Sequence, residues 1–341
     1  MSDDTLIQTD RLPEGFVDCP AHELYRIMPV PTLIHLEGRV EQPLFVSILL
    51  HGNETTGLKT IQALLKKYQN KKLPRSLSIF VGNVTAAHKG MRRLDNQPDF
   101  NRIWPGTVQP ESKETRMVRQ VVEEMARRKV FASIDIHNNT GLNPHYACVN
   151  KLDHRFLNLA NLFSRLVVFF IRPLGVQSAA FARLCPAVTL ECGKPGQAHG
   201  TKHALEFLDA CLHLQKLRDH PVTPSDIDLF HTVAQVNIRD HVDFSFNGDA
   251  AVLKLDAALD HMNFTEVPAN TVWGEVEDDR CMPLIIRNEF GDEVTNEFFR
   301  VENHLLISTR PVMPSMLTLD EKIVRQDCLC YLMERMDVRE I

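Results

Sequence analysis

Up to about residue 217 the chain alternates apolar runs of strand length with stretches of helical period. "LFVSILL" (44–50) reads as a buried strand, and "GLKTIQALLKKY" after it puts Leu58, Ile61, Leu65 and Tyr68 on one helical face. "LSIFVGNV" (77–84) reads as the next strand. "SKETRMVRQVVEEMARR" is amphipathic, with Val118, Val121, Val122 and Met125 in one stripe. "VFASIDIH" (130–137), "LVVFFI" (166–171) and "AVTLEC" (187–192) have the length and composition of further strands. "TKHALEFLDACLHLQKL" closes the series as a helix with Leu205, Leu208 and Leu212 inward. Strands alternating with helices imply an α/β sheet with parallel stretches.

The texture changes near residue 218, where "RDHPVTPSDIDLF" carries the prolines and acids of a linker. Short β-like pieces follow: "HTVAQVNI", "TVWGEVE", "PLIIRNEF" and "HLLIST". Helical periodicity returns only at about 319, and "IVRQDCLCYLMERM" reads as a helical tail. Two domains are expected, 1–220 and a β-rich 225–341.

Composition narrows the classes. A chain of 341 residues with 44% hydrophobic and 24% charged residues suits a globular protein with a sizeable core. A net charge of -6 argues against a general nucleic-acid binder. The 8 cysteines show no CxxC pairing and read as reduced, structural thiols. The acidic, polar N-terminus has no signal-peptide core, and no apolar stretch reaches the ~20 residues of a membrane helix. The expectation is a cytoplasmic protein with no membrane or nucleic-acid partner, with a homo-oligomer left open.

In an α/β sheet, function gathers where strands end. Polar residues break the apolar pattern at such places: His51 and Glu54 after the first strand, "PDFNRIW" (98–104) after the second, Asp135 and His137 at the end of "SIDIH", and Glu191 at the end of "AVTLEC". Each alone is an ordinary hydrogen-bonded residue; together, on strands of one sheet, they can converge on one rim. Two imidazoles and a carboxylate are a zinc donor set that leaves a position open for water. His51 and Glu54, three apart, can reach one ion from a single turn, with His137 as third ligand and Asp135 placed to orient a ligand. Glu191 then fits a carboxylate that takes a proton from water and passes it to a leaving amine. Arg92, Arg93 and Arg102 supply guanidinium groups, and Asn101 with Arg102 can grip a substrate carboxylate.

"HGNE", "DFNR", "DIHNNTG" and "TLECG", in that order over about residues 40–215, resemble the succinylglutamate desuccinylase/aspartoacylase family of the zinc carboxypeptidase group. The resemblance implies a mixed sheet flanked by helices with a smaller C-terminal β-rich domain. It implies one zinc ion per chain and hydrolysis of a small-molecule N-acyl amino acid. Carried over by position, His51, Glu54 and His137 bind zinc, Glu191 is general base and acid, and Asn101 and Arg102 hold a substrate carboxylate. The arginine that assists the carbonyl falls at Leu94, and a one-residue insertion in "DNQPD" makes Arg93 the choice over Arg92. His145 and Tyr146 are candidates for the pocket wall or ordinary strand packing, and His199 reads as structural. The rival readings are a metallocarboxypeptidase on short peptides and an inactive zinc-binding or ligand-binding homologue.

Overall fold

A computed structural model describes residues 6–246, 248 and 251–341. The chain divides into two compact units: one holds the residues up to Asn138, His145–Asp228 and Asp337–Ile341, and the other holds Asn139–Pro144 and Leu229–Met336. The fold is a mixed α/β sheet flanked by helices, with a smaller, more β-rich C-terminal region.

The strands of the first unit are β1 (Ile7–Thr9), β2 (Thr32–Leu36), β3 (Gly38–Ile48), β4 (Leu73–Val81), β5 (Ala132–His137), β6 (Tyr146–Val149), β7 (Leu166–Phe169) and β8 (Ala187–Glu191). They lie in the order β1-β2-β4-β3-β5-β8-β6-β7. The central β4, β3, β5 and β8 are mutually parallel, while β2 and β6 run against them. Residues Leu44 to Ile48 are buried throughout, as a strand covered on both faces requires. Parallel strands send their C-terminal ends to one rim, so the polar residues that follow β3, β5 and β8 are gathered there by topology alone.

The helices are α1 (Thr56–Lys67), α2 (Val84–His88), α3 (Lys113–Arg127), α4 (His154–Asn161), α5 (Gln177–Phe181) and α6 (Ala198–His213). On α1 the buried stripe is Leu58, Ile61 and Leu64, with Leu65 at its margin. On α3 it is Met117, Val118, Val121 and Met125. The α3 N-terminus carries a reciprocal cap: Thr115 N donates to Ser112 Oγ at 3.2 Å and Ser112 N donates to Thr115 Oγ1 at 2.8 Å. The helix α6 starts earlier than its apolar pattern suggests, so His199 and His203 both lie on it, one turn apart.

The strand Asp228–Ile238, which enters the second unit at Leu229, pairs antiparallel with Leu284–Asn288 and Cys330–Met336, and Met313–Ser315 pairs antiparallel with Cys330–Met336. A separate sheet of five strands is built on Val272–Val276. Its core holds Trp273 edge-on to Phe299, ring centroids 4.9 Å apart. The expected helical tail is corrected here: the helix covers only Glu321–Gln326, and Cys330–Met336 is a strand. That strand has neighbours on both sides, so Cys330 to Met333 are all buried, and a continuous apolar run fits a central strand as well as a helix. Among the described residues no helix is long and apolar enough to cross a membrane.

Replacing Ser112 with Ala removes the Oγ that accepts from Thr115 N and is expected to cost about 1 kcal/mol. Urea denaturation checks this: the midpoint should fall with an unchanged slope, and an unmoved midpoint would show the cap to be inert.

Candidate metal centre

Beyond β3 the chain turns sharply. Leu49 adopts the left-handed region at φ 54°, an uncommon conformation for a residue with a branched side chain. It is held there by Gly82 N on Ile48 O at 3.0 Å and Asn83 N on Leu49 O at 2.7 Å. The turn delivers His51, and Glu54 N donates back to His51 O at 3.2 Å, closing a tight loop that brings both side chains to the same side. Gly52 lets this loop lie flat against the segment before Arg92. A Cβ there would sit 2.1 Å from Ala87 N, and Gly52 N donates to Arg92 O at 3.0 Å.

His51, Glu54 and His137 meet as a buried group whose donor atoms all lie within 4.8 Å of one another. His51 Nδ1 is 2.7 Å from Glu54 Oε1 and His137 Nδ1 is 2.8 Å from Glu54 Oε2. The other nitrogen of each ring is tied to a second carboxylate: His51 Nε2 to Asp99 Oδ1 at 2.9 Å, and His137 Nε2 to Asp135 Oδ2 at 2.7 Å. A carboxylate on the outer nitrogen fixes the ring and leaves the inner nitrogen as donor, the arrangement usual for zinc-binding histidines. Asp135 is itself held by Ser47 Oγ at 2.7 Å from the neighbouring strand. The donor set, its burial and its outer carboxylates fit a single zinc ion.

The electrostatics agree. Burial and Arg92 disfavour a proton on His51, but Glu54 and Asp99 outweigh them and raise its affinity above the ordinary value. Burial likewise opposes a charge on His137, yet Asp135 and Glu54 hold it well above the usual imidazole range. Burial raises the Glu54 and Asp99 carboxyls, and the facing imidazoles, with Arg92 beside Asp99, more than reverse it. Both imidazoles are thus biased towards their protonated forms at the place a divalent cation would fill.

Asn138, next to His137, ties the loops together. Its backbone N donates to Glu54 Oε2 at 3.0 Å, its Oδ1 accepts from Thr56 N at the start of α1 at 3.2 Å, and its Nδ2 donates to Gly193 O at 2.8 Å. Glu191 ends β8 with its Cα opposite His137, and it is 7% exposed. Burial and then the Glu191 carboxylate push the Cys148 and Cys192 thiols up. Asn101 is drawn in: its Nδ2 is 3.3 Å from His137 Nε2 and its Oδ1 accepts from Gln177 N at 2.9 Å. Arg102 Nη1 donates to Asn101 O at 2.9 Å and the residue stays partly exposed. Arg93 is not brought to the cluster: its Nη1 donates to Gln97 O at 3.1 Å. Arg92 enters instead, 8% exposed, with Nη2 on Asp99 Oδ2 at 3.0 Å and Nη1 3.6 Å from Glu54 Oε1. The loop is irregular, so counting back from Arg102 does not fix which guanidinium turns inward. Asp99 and Asn138 escaped the sequence reading. Asp99's signal was its place two before Asn101, whose N donates to Asp99 Oδ1 at 2.7 Å in an Asx-type turn.

An α/β sheet carrying a buried His/Glu/His group at its parallel-strand rim is consistent with a metal-dependent hydrolase. The succinylglutamate desuccinylase/aspartoacylase catalytic domain model matches residues 43–215, and the chain belongs to that family. A succinylglutamate desuccinylase of Yersinia enterocolitica is 25% identical over 261 residues, 69% of this chain and 74% of that protein. The solved succinylglutamate desuccinylase of Chromobacterium violaceum has a TM-score of 0.54 at 16% identity, covering 88% of this chain and 87% of that one. Murine aminoacylase 3 has a TM-score of 0.57 at 16% identity, covering 87% of this chain and 96% of that one.

The metal-free and metal-loaded forms should respond oppositely to pH. A raised imidazole adds stability that is complete below the unfolded value of about 6.5 and is lost as pH rises through the folded value. The metal-free protein should therefore melt at falling temperature as pH rises above about 6.5. Zinc must displace those protons, so its affinity should rise with pH over the same range; a chelator-competition series that is flat with pH would contradict the paired-proton picture. Gly52→Ala should lose zinc affinity by forcing the ligand loop off the Ala87 backbone, measured in the same competition assay.

Proposed function

We propose that the protein is a zinc-dependent amidohydrolase that removes the acyl group from an N-acyl amino acid. The observation that carries this reading is the inward convergence of two Nδ1 atoms on one buried carboxylate, each ring backed by its own acid. His51, Glu54 and His137 would hold the ion. When bound, it supplies Lewis acidity that makes water a usable nucleophile near neutral pH and polarises a carbonyl.

The chain's own residues take the remaining tasks. Glu191, across the β5–β8 register from His137, is the carboxylate assigned to receive the proton of water and return it to the departing amine nitrogen. Arg92 is assigned to the developing negative charge on the carbonyl oxygen, where a preoriented guanidinium in a dry site is most effective. It takes this role from Arg93 because it is the buried arginine beside Glu54. Arg102, partly exposed and next to Asn101, is assigned to the substrate carboxylate through its forked donors. Asn101 is assigned to hold this loop against His137 and to orient the same carboxylate. The names of the relatives, a succinylglutamate desuccinylase and an aminoacylase, support an acylated amino acid as substrate class.

Amine release from a panel of acyl amino acids and short peptides tests this. His51→Ala should lose bound zinc and turnover together. Glu191→Gln should keep zinc and lose at least ~100-fold in kcat. Turnover confined to peptides would move the assignment to a carboxypeptidase, and silence of the zinc-loaded protein across the panel would leave a binding protein. Asn138→Ala should keep zinc and lower kcat by about 10-fold or more, because misplacing a catalytic group is costly even when chemistry is intact.

A further inference from the structure

Three of the histidines that the mechanism leaves aside, His145, His199 and His203, form one cluster. His199 and His203 occupy i and i+4 on α6, so they lie above one another on one face. His145 enters from the start of β6 and is stacked against both, ring centroids 5.1 Å from each. Phe163 closes the far side, 4.2 Å from His203. His145 Nδ1 and His203 Nδ1 face one another at 2.8 Å. Two such nitrogens must share one hydrogen, and the separation is close to the roughly 2.9 Å between two nitrogens bound at ~2.0–2.1 Å and at a right angle to one ion. Burial, then the two neighbouring imidazoles, push His145 down to about 4, so its ring is neutral at physiological pH and competes little with protons for a cation.

We infer that His145, His203 and His199 form a second binding site, for a late divalent transition ion such as Ni2+, Cu2+ or Zn2+. Two of its donors already converge. His199 is exposed on the outer turn of α6 and completes the set by turning its ring towards them. The donors are all imidazole, so the site favours borderline ions over Mg2+ and Ca2+, which prefer oxygen. It borders the loop after Glu191: a Cβ on Gly193 would lie 3.1 Å from His145 Nε2.

Ni2+ titrated calorimetrically onto the full chain carrying one equivalent of zinc is the test. One equivalent should bind, at least tenfold more weakly in both His199→Ala and His203→Asn and unchanged in His22→Ala, a surface histidine elsewhere. His199 is exposed, so its truncation does not threaten the fold, and circular dichroism checks His203→Asn. The inference is overturned if the unaltered chain takes up no such equivalent, or if either His199→Ala or His203→Asn takes it up with undiminished affinity. The comparison is read at α6 and so stands apart from the fate of the first centre.

Discussion

A carboxylate buried at Glu54 is the constraint on which the site depends. An ionised acid taken out of water is tolerated only when paired and hydrogen-bonded. Here each of its oxygens meets an imidazole, and the backbone N of Asn138 adds a further donor. The imidazoles need acids of their own, which are Asp99 and Asp135, and Asp99 needs Arg92. Burying one charge thus recruits a ring of alternating charge, closed by side chains from several separate segments. A divalent ion would take the place between His51, Glu54 and His137 that the ring keeps closed.

Much of this was legible in the sequence because it interrupts a strong pattern. His51, His137 and Glu191 stand where apolar strands end, and Glu54 is tied to His51 by a short turn. Strand ends in a parallel sheet are fixed by topology, so residue type and position were enough to bring His51, Glu54 and His137 together. The loop between β4 and α3 has no such periodicity. There, one residue more or less decides which arginine turns inward, and Arg92 is the one that pairs with Asp99 and lies beside Glu54. Asp99 was hidden for the same reason. Asn138 was hidden by its neighbour, since an amide beside a candidate ligand carries no pattern of its own.

The tail shows the converse limit. Cys330 to Met333 satisfy a helical stripe and a central strand equally, and pairing on both sides selects the strand. In α6, by contrast, Leu208 and Leu212 were read correctly as buried, but Leu205 is only half-buried, Phe207 and Cys211 share the buried face, and the start was misplaced. Extending the helix back to Ala198 turns His199 from a loop residue into one half of an i, i+4 pair.

The sheet also fixes the order in which the first centre can come into being. Glu54 and His137 are separated by 83 positions and meet only once β3 and β5 have paired in parallel. Such non-local pairing comes late and slowly in folding. A cation would therefore not gather this centre from a loose chain, as it does in small domains that fold around their metal. It would enter a socket that the pairing of β3 with β5 has already closed.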